Sequence, residues 1–599
     1  MNKYTHNQQI KTYYKKYCAI LTKVILKAKK LYYKQAIEKS NNKIKTTWSI
    51  INEEKGLHKR KSMIKKISHN NRITINQKTI ANLFNNHFLS IADLTKIENI
   101  TDINPYIENS LKYLKMSNET PFDNITWKYV STQEIKKIIS SLKNSNSTGY
   151  DEITSRLLKL SAPYIISPLT YICNSALNTG VFPDRLKYAT VGLIHKKGDI
   201  CSMFNYRPIS ILTAFSKIFE KIIFTRIIKH IHLNNILTPC QFGFRKFFST
   251  DQAIFSLINN ILEAMNKHQI AAGMFCDLHK AFDSVNHQIL LKKIQFYGIR
   301  GKMEMLLQSY LTDRHQKVIC NDKFSSWKTI QCRLPQGSIL GPLLFLIYIN
   351  DLPSIINAKN NTMLLYADDT SIVITESSAI ATKYQAFSLL SDINSWFRNN
   401  LLLLNLNKTQ YLEFRTQNYN ISEQIQNSNL HSVTHTKFLG LTIDYTLSWK
   451  LHINSLIKRL ASISYAIRSL KYTLPKDTLK MIYLNQAQSI ISYGIIFWGQ
   501  SPEASKVFIM QKKILRIIYN LKSNDTCRNI FKQNNIMTFY SNYIYSLILF
   551  ALTNKKFFDL NTHIHQHNTR NKDNMHLTNI NLTKVKKGPY FSCIRMFNH

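Results

Sequence analysis

Two adjacent aspartates, Asp368 and Asp369, lie between two short apolar stretches in the segment from Met363 to Thr375. Two apolar stretches separated by a short polar pair are typical of two β-strands joined by a tight turn. Carboxylates side by side at the tip of such a hairpin repel each other and gain nothing structurally unless a cation neutralises them. The segment therefore predicts a hairpin with an acidic tip, although an Asp-Asp pair by itself is also a common turn sequence.

Two other segments support an acidic site at this hairpin. An apolar strand ends at Asp277, and the sequence continues to Asp283, after which an amphipathic helix begins. The segment from Leu334 to Pro342 predicts a tight turn that leads into a buried apolar helix. Nucleotidyl transfer to a 3′-hydroxyl needs two divalent cations, and carboxylates on rigid strand ends are ligands that suit Mg²⁺. One aspartate at a strand end and two at a neighbouring hairpin are able to supply that set.

Short strands and helices alternate between about residue 150 and residue 445, which predicts an α+β domain. After about residue 446 the apolar spacing becomes helical, with apolar residues on one stripe of Leu451–Leu470 and of Pro475–Tyr493 and basic residues on the other. A chain of 599 residues is too long for a single core, so several packed units are expected. We expect the polar end of the chain, from Asn561 onward, to pack poorly.

The chain is strongly basic, with 79 Lys and Arg against 35 Asp and Glu and a formal charge of +44. A field of this sign favours a polyanion as partner, although residues with AT-rich codons are abundant and codon bias accounts for part of the excess. Residues 1–66 hold 18 Lys and Arg against 3 acidic residues, and the stretch from Tyr13 to Ile51 predicts one or two basic helices. These helices either bind RNA or form a solvated linker.

Nine cysteines are scattered along the chain without a C-x-x-C pair, so neither a zinc knuckle nor a disulfide framework is predicted. This usage favours a reducing intracellular compartment. The N-terminal residues lack the apolar core of a signal peptide, and the longest apolar run, Ile339 to Ile349, is too short to span a bilayer. No membrane partner is therefore expected.

Several motifs together resemble those of one polymerase family, the reverse transcriptases of non-LTR (long interspersed) retrotransposons, and most of all its jockey-type branch. Tyr366–Asp369 is similar to the family's catalytic hairpin, Asp277–Asp283 to its first catalytic block, and Leu334–Pro342 to its template-contacting block. The resemblance is strong between about residues 140 and 500. Further similar segments lie on both sides of these blocks: Gly192–Asp199, Asn205–Ser210, Gln241–Arg245, Asn407–Thr409 and Phe438–Gly440.

The resemblance implies a right-hand polymerase fold of fingers, palm and thumb. It divides the chain into a basic helical extension (1–140), fingers and palm (141–445), a helical thumb (446–550) and a polar C-terminal tail (551–599). The implied activity is RNA-directed DNA polymerisation, in which dNTPs are added to the 3′-hydroxyl of a DNA primer on an RNA template. The implied cofactor is a pair of Mg²⁺ ions, with Mn²⁺ as a substitute. The expected location is the nucleus and cytoplasm, and the oligomeric state is left open.

The resemblance also assigns roles at the acidic site. Asp277, Asp368 and Asp369 are the implied metal ligands, and Lys408 is the implied proton donor to pyrophosphate. Phe282 stands at the position that blocks a ribose 2′-hydroxyl in the family, which favours dNTPs over rNTPs by steric exclusion. An ordinary core phenylalanine is the alternative at this position.

The remaining implied site residues bind nucleotides or nucleic acid. Basic side chains neutralise the incoming triphosphate, and a glycine lets the backbone approach the template closely. Asp283, which ends the first catalytic block, is instead expected to cap the following helix. The binding residues are Lys196, Lys197 and Arg207 for the triphosphate, Gln336 and Gly337 for the template and nascent pair, and Leu439 and Gly440 as a primer grip.

Alternative functions stay open at this point. The chain is either an active polymerase or a catalytically silent, domesticated RNA-binding remnant, and the intact aspartates favour activity. An RNA-dependent RNA polymerase is a further alternative, against which Phe282 argues. Only about 140 basic, acid-poor residues precede the fingers, and these do not suit a metal-dependent endonuclease. We therefore expect the polymerase part of a larger element protein, or a degraded copy.

Overall fold

The computed structural model describes residues 8–40, 42–54, 64–69, 72–94, 102–117, 120–330, 333–356, 360–415, 431–564, 570–578, 580 and 582–599. The chain divides into two compact units, a larger one from Met63 to Val433 and a smaller one made of Met1–Ser62 with Thr434–His599. The predicted mixture of helices and strands is confirmed. In the described ranges, no helix has the combination of length and apolar character that crossing a membrane requires.

The prediction of one or two basic helices is confirmed, because the chain forms two there, α1 (Gln8–Glu38) and α2 (Lys43–Glu54). The Glu54 carboxylate ties them together, because its Oε1 accepts a hydrogen bond from Tyr33 Oη at 2.5 Å and lies 3.1 Å from Lys29 Nζ. Tyr33 is buried, whereas most of the other apolar side chains of α1 are exposed. This helix therefore carries a mixed apolar and basic surface.

The described strands of the larger unit form a small hairpin and two larger sheets. The longest of them are rich in β-branched and other apolar residues, which favour extended backbone. Their bounds are β1 Ile67–His69, β2 Arg72–Thr74, β3 Tyr188–His195, β4 Tyr206–Ile211, β5 Ile270–Cys276, β6 Arg314–Cys320, β7 Lys323–Phe324, β8 Lys328–Ile330, β9 Asn361–Tyr366, β10 Asp369–Glu376, β11 Gln410–Phe414 and β12 His431–Ser432.

The central sheet has the strand order β12-β11-β5-β10-β9. Its middle strands β5 and β10 are buried along most of their length. Because successive side chains of a strand point to opposite faces of a sheet, burial of consecutive residues means that both faces are covered. β10 pairs antiparallel with both of its neighbours, β5 and β9. The predicted hairpin with an acidic tip is thus the β9–β10 hairpin.

Helices make up much of the rest of the larger unit. They are α3 Gln77–Leu94, α4 Asn104–Ser117, α5 Thr132–Ser141, α6 Ser155–Thr179, α7 Ala214–Leu233, α8 Thr250–Asn266, α9 His287–Phe296, α10 Lys302–Leu311, α11 Leu340–Tyr348 and α12 Ala379–Asn399. Both α8 and α12 contact β5 and β10. Almost every residue of α11 is buried, which confirms the predicted core helix after the turn.

The second sheet has the order β4-β3-β6-β7, with β8 paired to β6. Helix α3 packs against β6 and contributes Ile80 and Phe84 to a small core shared with Val191 of β3 and Val318 of β6. Strands β3 and β4 form an antiparallel pair, so the segment that follows β3 lies beside the start of β4. The candidate basic residues Lys196 and Lys197, which follow β3, and Arg207, which lies on β4, therefore belong to neighbouring parts of this sheet.

The smaller unit contains a two-stranded sheet, β13 His435–Phe438 with β14 Leu441–Asp444, followed by helices. The helices predicted after residue 446 are confirmed, and a π-helix, Tyr483–Gln488, joins α14 to α15. The helical bounds are α13 Lys450–Leu470, α14 Lys476–Ile482, α15 Ser489–Ser492, α16 Ile495–Trp498, α17 Ser505–Tyr519, α18 Arg528–Gln533, α19 Phe539–Thr553, α20 Asn561–Ile564, α21 Thr583–Lys586 and α22 Pro589–Asn598.

The expectation that the end of the chain packs poorly is wrong for its last helix. Helix α22 packs against α19, and Cys593 and Ile594 are fully buried between them and their neighbours. Cys593 Sγ also lies 3.7 Å from the Leu547 carbonyl oxygen of α19. The polar composition before α22 concealed a short amphipathic helix, which gains its stability from this contact rather than from its own length.

Candidate active site

Strand pairing brings the predicted acidic residues to one end of the central sheet. Thr370 of β10 pairs with Cys276 of β5, and Asp369 and Asp277 are the next residues in the direction away from the paired strands. Since neighbouring strands lie about 5 Å apart, these two aspartates leave the sheet side by side. Asp369 also pairs with Tyr366 of β9, so Asp368 lies in the turn itself. The prediction that a strand ends at Asp277 is confirmed as well.

The acidic tip raises the proton affinity of its own carboxyl groups. The surrounding atoms desolvate the Asp369 carboxyl, and together with the charges of Asp368 and Asp277 they raise its pKa to about 6. Desolvation also raises the pKa of Asp368, to which the Asp277 charge contributes, whereas Arg207 and Lys196 act in the opposite direction. The carboxylates are therefore close enough to repel one another, and cations stabilise their charged form.

Asp277 is held by residues that precede β11. Its backbone oxygen accepts a hydrogen bond from Asn405 N at 2.8 Å, and its carboxylate Oδ2 accepts one from Asn405 Nδ2 at 3.4 Å. Lys408 Nζ donates to the same Oδ2 at 2.9 Å. The side chains of Lys408 and Asp277 are 65% and 42% exposed, so this ion pair lies at the surface and is easily exchanged.

The basic residues predicted to bind the triphosphate lie close to these carboxylates. Lys196 follows β3 and Arg207 lies on β4, and both are exposed. Burial of its ammonium lowers the pKa of Lys196, and Arg207, Lys408 and Lys197 lower it further, whereas Asp277 raises it. The structure thus brings Lys196, Arg207 and Lys408 together around the acidic cluster. Lys197 is the next exposed residue in the same turn.

The donor chemistry of the cluster suits a hard divalent cation, because three carboxylates supply oxygen ligands of the kind that Mg²⁺ takes. In the part of the chain that the structure describes, however, no three acidic, histidine or cysteine side chains converge closely enough to hold one ion. The Asp277 carboxylate points to Lys408 instead. The side chains therefore form an ion-paired site, in which a lysine neutralises one of the carboxylates.

Phe282 packs between two other aromatic rings. Its ring stacks on Phe345 of α11 with centroids 4.4 Å apart, and it meets Phe244 edge to face at 6.2 Å. The residue is partly buried. Its backbone oxygen accepts a hydrogen bond from Leu334 N at 3.0 Å. The ring is therefore fixed in place at the junction of two motif segments, with part of its surface accessible.

The turn that contains Gln336 and Gly337 packs on β4. Ser210 N donates to the Gln336 backbone oxygen at 2.8 Å. Gly337 has a φ of +115°, and a Cβ atom at this position would lie 2.7 Å from the Ser210 oxygen. Only glycine combines that backbone conformation with so close an approach. The turn is thus held against the strand that carries Arg207.

Asp283 does not cap the next helix, so that prediction is wrong. Asn286 caps α9, since its side chain accepts hydrogen bonds from Gln288 N and Ile289 N. Asp283 is only 4% exposed; it accepts a hydrogen bond from Gln336 Nε2 at 3.1 Å and lies 3.6 Å from Arg333 Nε. Burial raises the pKa of the Asp283 carboxyl, and Arg333 opposes that rise. Asp283 therefore orients the Gln336 side chain.

The predicted primer-grip residues lie in the smaller unit, at the turn between β13 and β14. Leu439 and Gly440 have positive φ angles of +44° and +90°. Tyr493 Oη donates a hydrogen bond to the Leu439 oxygen, and a Cβ atom at Gly440 would lie 3.2 Å from Tyr493 Cε1. The turn is therefore fixed by Tyr493, which directly follows α15 in the same unit.

Sequence reasoning missed three residues that support the site. Asn405 binds Asp277, Arg333 pairs with Asp283, and the buried Gln241 accepts a hydrogen bond from the backbone of Ala367, which precedes Asp368. Asn405 could have been suspected, because it stands three residues before Lys408. Gln241 lies in a segment that the resemblance included, but nothing local assigned it a role, and Arg333 carried no local signal, since the partners of both lie far away in the sequence.

Comparison with known proteins adds an independent finding. Residues 194–443 match the family described as reverse transcriptase (RNA-dependent DNA polymerase). The matched segment contains Lys196, Arg207, the three aspartates and Lys408. It therefore spans the basic and acidic residues that the larger unit brings together.

Relatives carried by mobile elements are similar over a still longer stretch. The RNA-directed DNA polymerase from mobile element jockey of Drosophila melanogaster is 28% identical over 420 residues, which is 67% of this chain and 45% of the relative. Its namesake from Drosophila funebris is 29% identical over 403 residues, or 65% of this chain and 44% of the relative. The probable RNA-directed DNA polymerase from transposon BS of Drosophila melanogaster is 28% identical over 423 residues, or 67% and 46%. The chain spans less than half the length of these relatives. Its residues 194–443 are similar to reverse transcriptases, and a longer stretch is similar to the polymerases carried by jockey-like mobile elements.

Proposed function

We propose that this chain is an RNA-directed DNA polymerase, which adds dNTPs to the 3′-hydroxyl of a DNA primer on an RNA template. The observation that carries the proposal is the register of β5 and β10, because it sets Asp277 beside the turn that holds Asp368 and Asp369. A group of carboxylates at one sheet end, faced by basic side chains, is the arrangement that nucleotidyl transfer needs. The match of residues 194–443 to the reverse transcriptase family supports the same activity.

Asp277, Asp368 and Asp369 hold the divalent cations in this proposal, which are two Mg²⁺ ions or Mn²⁺ as a substitute. Such ions, when bound, activate the attacking 3′-hydroxyl and stabilise the leaving pyrophosphate. Desolvation raises the pKa values of Asp368 and Asp369, and repulsion between the carboxylates raises them further; a cation relieves that repulsion, which supports this role. To hold a cation, Asp277 would give up its contact with Lys408. That ion pair is exposed, so its loss would cost little free energy.

The basic side chains bind the triphosphate of the incoming nucleotide. Desolvation lowers the pKa of Lys196, and the positive charges around it lower it further. An anion placed among Lys196, Arg207 and Lys197 removes that repulsion. Lys408 lies near the same basic group, because its charge also acts on Lys196, and its Nζ donates a hydrogen bond to Asp277. Once Asp277 releases it, Lys408 is positioned to give a proton from Nζ to the departing pyrophosphate.

Selection of the sugar and contact with the template involve the two motif segments that meet at Phe282. The fixed ring of Phe282 excludes a ribose 2′-hydroxyl by its bulk. Gln336 and Gly337 contact the template and the nascent pair from the turn on β4. Their backbone approaches closely because Gly337 lacks a Cβ atom.

The larger proposal is a right-hand arrangement. Residues 141–445 form the fingers and palm, residues 446–550 form the thumb, residues 1–140 form a basic extension and residues 551–599 form a tail. Leu439 and Gly440 grip the primer strand. The thumb contacts phosphates of the RNA–DNA hybrid through basic side chains of α13 and its end: Lys450, Lys458, Arg459, Arg468 and Lys471.

The proposal is tested by primer extension on an RNA template with dNTPs and Mg²⁺. Wild type should extend the primer. Loss of a residue that only orients a metal ligand costs up to about 100-fold, so Asp368→Asn, which changes a proposed ligand itself, should lower the rate at least about 100-fold. Asp392→Asn is the matched control, because Asp392 is exposed on α12 and is not among the proposed site residues. Equal rates for wild type and Asp368→Asn contradict the assignment of the site.

The same assay separates the alternatives. Salt-dependent RNA binding without extension, under conditions in which a related polymerase works, indicates an RNA-binding remnant instead. Preferential incorporation of rNTPs indicates an RNA polymerase. Extension with dNTPs alone supports the proposal.

A further inference from the structure

We infer that Gln241 is a positioning residue, which holds the turn carrying Asp368 and Asp369 in the conformation that polymerisation needs. The consequence for activity rests on the proposed function, whereas the structural part of the inference does not. Gln241 lies before α8 and is only 2% exposed. It reaches the turn from a segment more than 120 residues earlier in the chain, with a separation of 126 residues from Ala367.

One oxygen of Gln241 serves two backbone donors. Its Oε1 accepts a hydrogen bond from Gly243 N at 2.7 Å and another from Ala367 N at 3.0 Å. The orientation of the side-chain amide is therefore determined, because its NH₂ group could accept neither bond. The Gln241 side chain thus joins its own loop to the residue that begins the acidic turn.

Backbone contacts align the loop with strand β9. Phe242 N donates to the Leu365 oxygen at 2.8 Å, and Leu365 N donates to the Cys240 oxygen at 2.9 Å. Gly243 then passes so close to the turn that a Cβ atom would lie 2.3 Å from Ala367 N. The loop therefore follows the strand and ends against the turn, with no room for a side chain at Gly243.

The turn needs a support from outside its own hairpin. Ala367 has a φ of +56° and is buried, a left-handed conformation that alanine adopts only at a cost. Repulsion between the carboxylates that follow adds to that cost. A buried backbone N–H without an acceptor is also costly, and Gln241 supplies the acceptor for Ala367. The hydrogen bond therefore stabilises a turn that its own sequence does not favour.

The effect is measured first by hydrogen exchange at the Ala367 amide, without metal or nucleic acid. Gln241→Met keeps the length of the side chain and removes the acceptor, so exchange at this amide should accelerate about ten-fold, equivalent to about 1.4 kcal/mol. Gln241→Glu keeps an acceptor oxygen and should retain most of the protection. Gln316→Met is the matched control, because Gln316 is equally buried in β6 and bonds Asn85.

A second variant perturbs the same turn without changing Gln241. Gly243→Ala should also accelerate exchange at Ala367, because its Cβ displaces that amide. Gly192→Ala serves as its control, since the nearest atom to a Cβ there lies at 3.7 Å. If Gln241→Met fails to fold, this pair decides the question. Unchanged exchange at Ala367 in a folded Gln241→Met or Gly243→Ala protein overturns the inference.

Primer extension then tests the consequence for activity. In Gln241→Met, kcat should fall at least about ten-fold and the Mg²⁺ concentration for half-maximal rate should rise several-fold, while KM for dNTP changes less than about two-fold. A purely structural loss would lower the amount of active protein without moving the Mg²⁺ dependence. Accelerated exchange with unchanged kcat and Mg²⁺ dependence overturns the positioning role. An inactive wild type refutes the proposed function alone, and hydrogen exchange still decides the inference.

Discussion

A buried ion pair joins helices of the larger unit, and its removal tests the packing that supports the candidate site. Lys293 of α9 lies with its Nζ 2.6 Å from Asp351 Oδ1, and it also donates to the Tyr348 oxygen of α11 at 2.7 Å. Trp396 Nε1 of α12 donates to the other carboxylate oxygen of Asp351 at 3.1 Å. The helices joined here follow the three segments that carry Asp277, Gln336 and the acidic hairpin. Loss of the pair should therefore loosen the support of the whole site.

The magnitude follows from the burial of both partners. The side chains of Lys293 and Asp351 are 0% exposed, so Lys293→Met leaves a carboxylate buried without a counter-charge. Removal of one member of a buried pair costs about 3–5 kcal/mol in unfolding free energy. The double change Lys293→Met with Asp351→Leu removes both charges and should recover most of that loss, because apolar residues of similar volume replace buried pairs at little cost.

The loss in Lys293→Met should also depend on pH. Burial raises the pKa of Asp351 in the wild type, and Lys293 opposes that rise, so removing Lys293 raises the pKa further. An acid whose folded pKa lies above its unfolded value stabilises the protein below the unfolded pKa, near 4, and loses that contribution as the pH rises through the folded pKa. The variant should therefore be less destabilised at pH 5 than at pH 8.

Pulse proteolysis in urea measures these differences on the full chain, with fragments of the larger unit as the readout. Lys267→Met is the control, because the ion pair of Lys267 with Glu263 is almost as short, at 2.7 Å, but its side chains are 62% and 54% exposed. An exposed pair contributes less than about 1 kcal/mol. The reasoning is refuted if Lys293→Met costs no more than Lys267→Met, or if the double variant is no more stable than the single one.

Three further outcomes are expected at the site itself. Chelation of divalent ions by EDTA should stop primer extension and excess Mg²⁺ should restore it, and extension that persists in EDTA contradicts the metal assignment. Phe282→Ala should raise incorporation of rNTPs relative to dNTPs about ten-fold or more, whereas Phe282→Tyr should not. Equal selectivity in wild type and both variants would mean that Phe282 is a core residue only. Asp283→Asn removes the counter-charge of the buried Arg333, so the unfolding free energy should fall by about 3 kcal/mol. The value of kcat/KM should fall as well, because Gln336 loses its orienting partner. A stable, fully active variant excludes that role.

The elements that sequence reasoning predicted well are those with a strong local pattern. The acidic hairpin was visible because apolar strands flank Asp368 and Asp369. The apolar helix α11 and the basic helices α1 and α13 were visible because their spacing repeats over many residues. Asp283 was mistaken for the residue that caps α9, because Asp283 and Asn286 are both good capping residues and both precede this helix. Only the tertiary contact of Asp283 with Arg333 decides between them.

Chemistry-bearing residues and their supports differ in how visible they are in a sequence. Adjacent carboxylates at a turn are locally unfavourable, and they stand out in the sequence because little else explains them, whereas the positive φ of Ala367 is visible only in the structure. Their supports are ordinary side chains, and each acts across a long separation: 126 residues between Gln241 and Ala367, and 58 between Lys293 and Asp351. No periodicity encodes those contacts, because they exist only once buried segments have paired. An unfavourable turn persists only where its surroundings stabilise it, so each visible acidic segment implies buried polar partners elsewhere in the chain. Substitution of those partners is expected to abolish function even though the carboxylates themselves are kept.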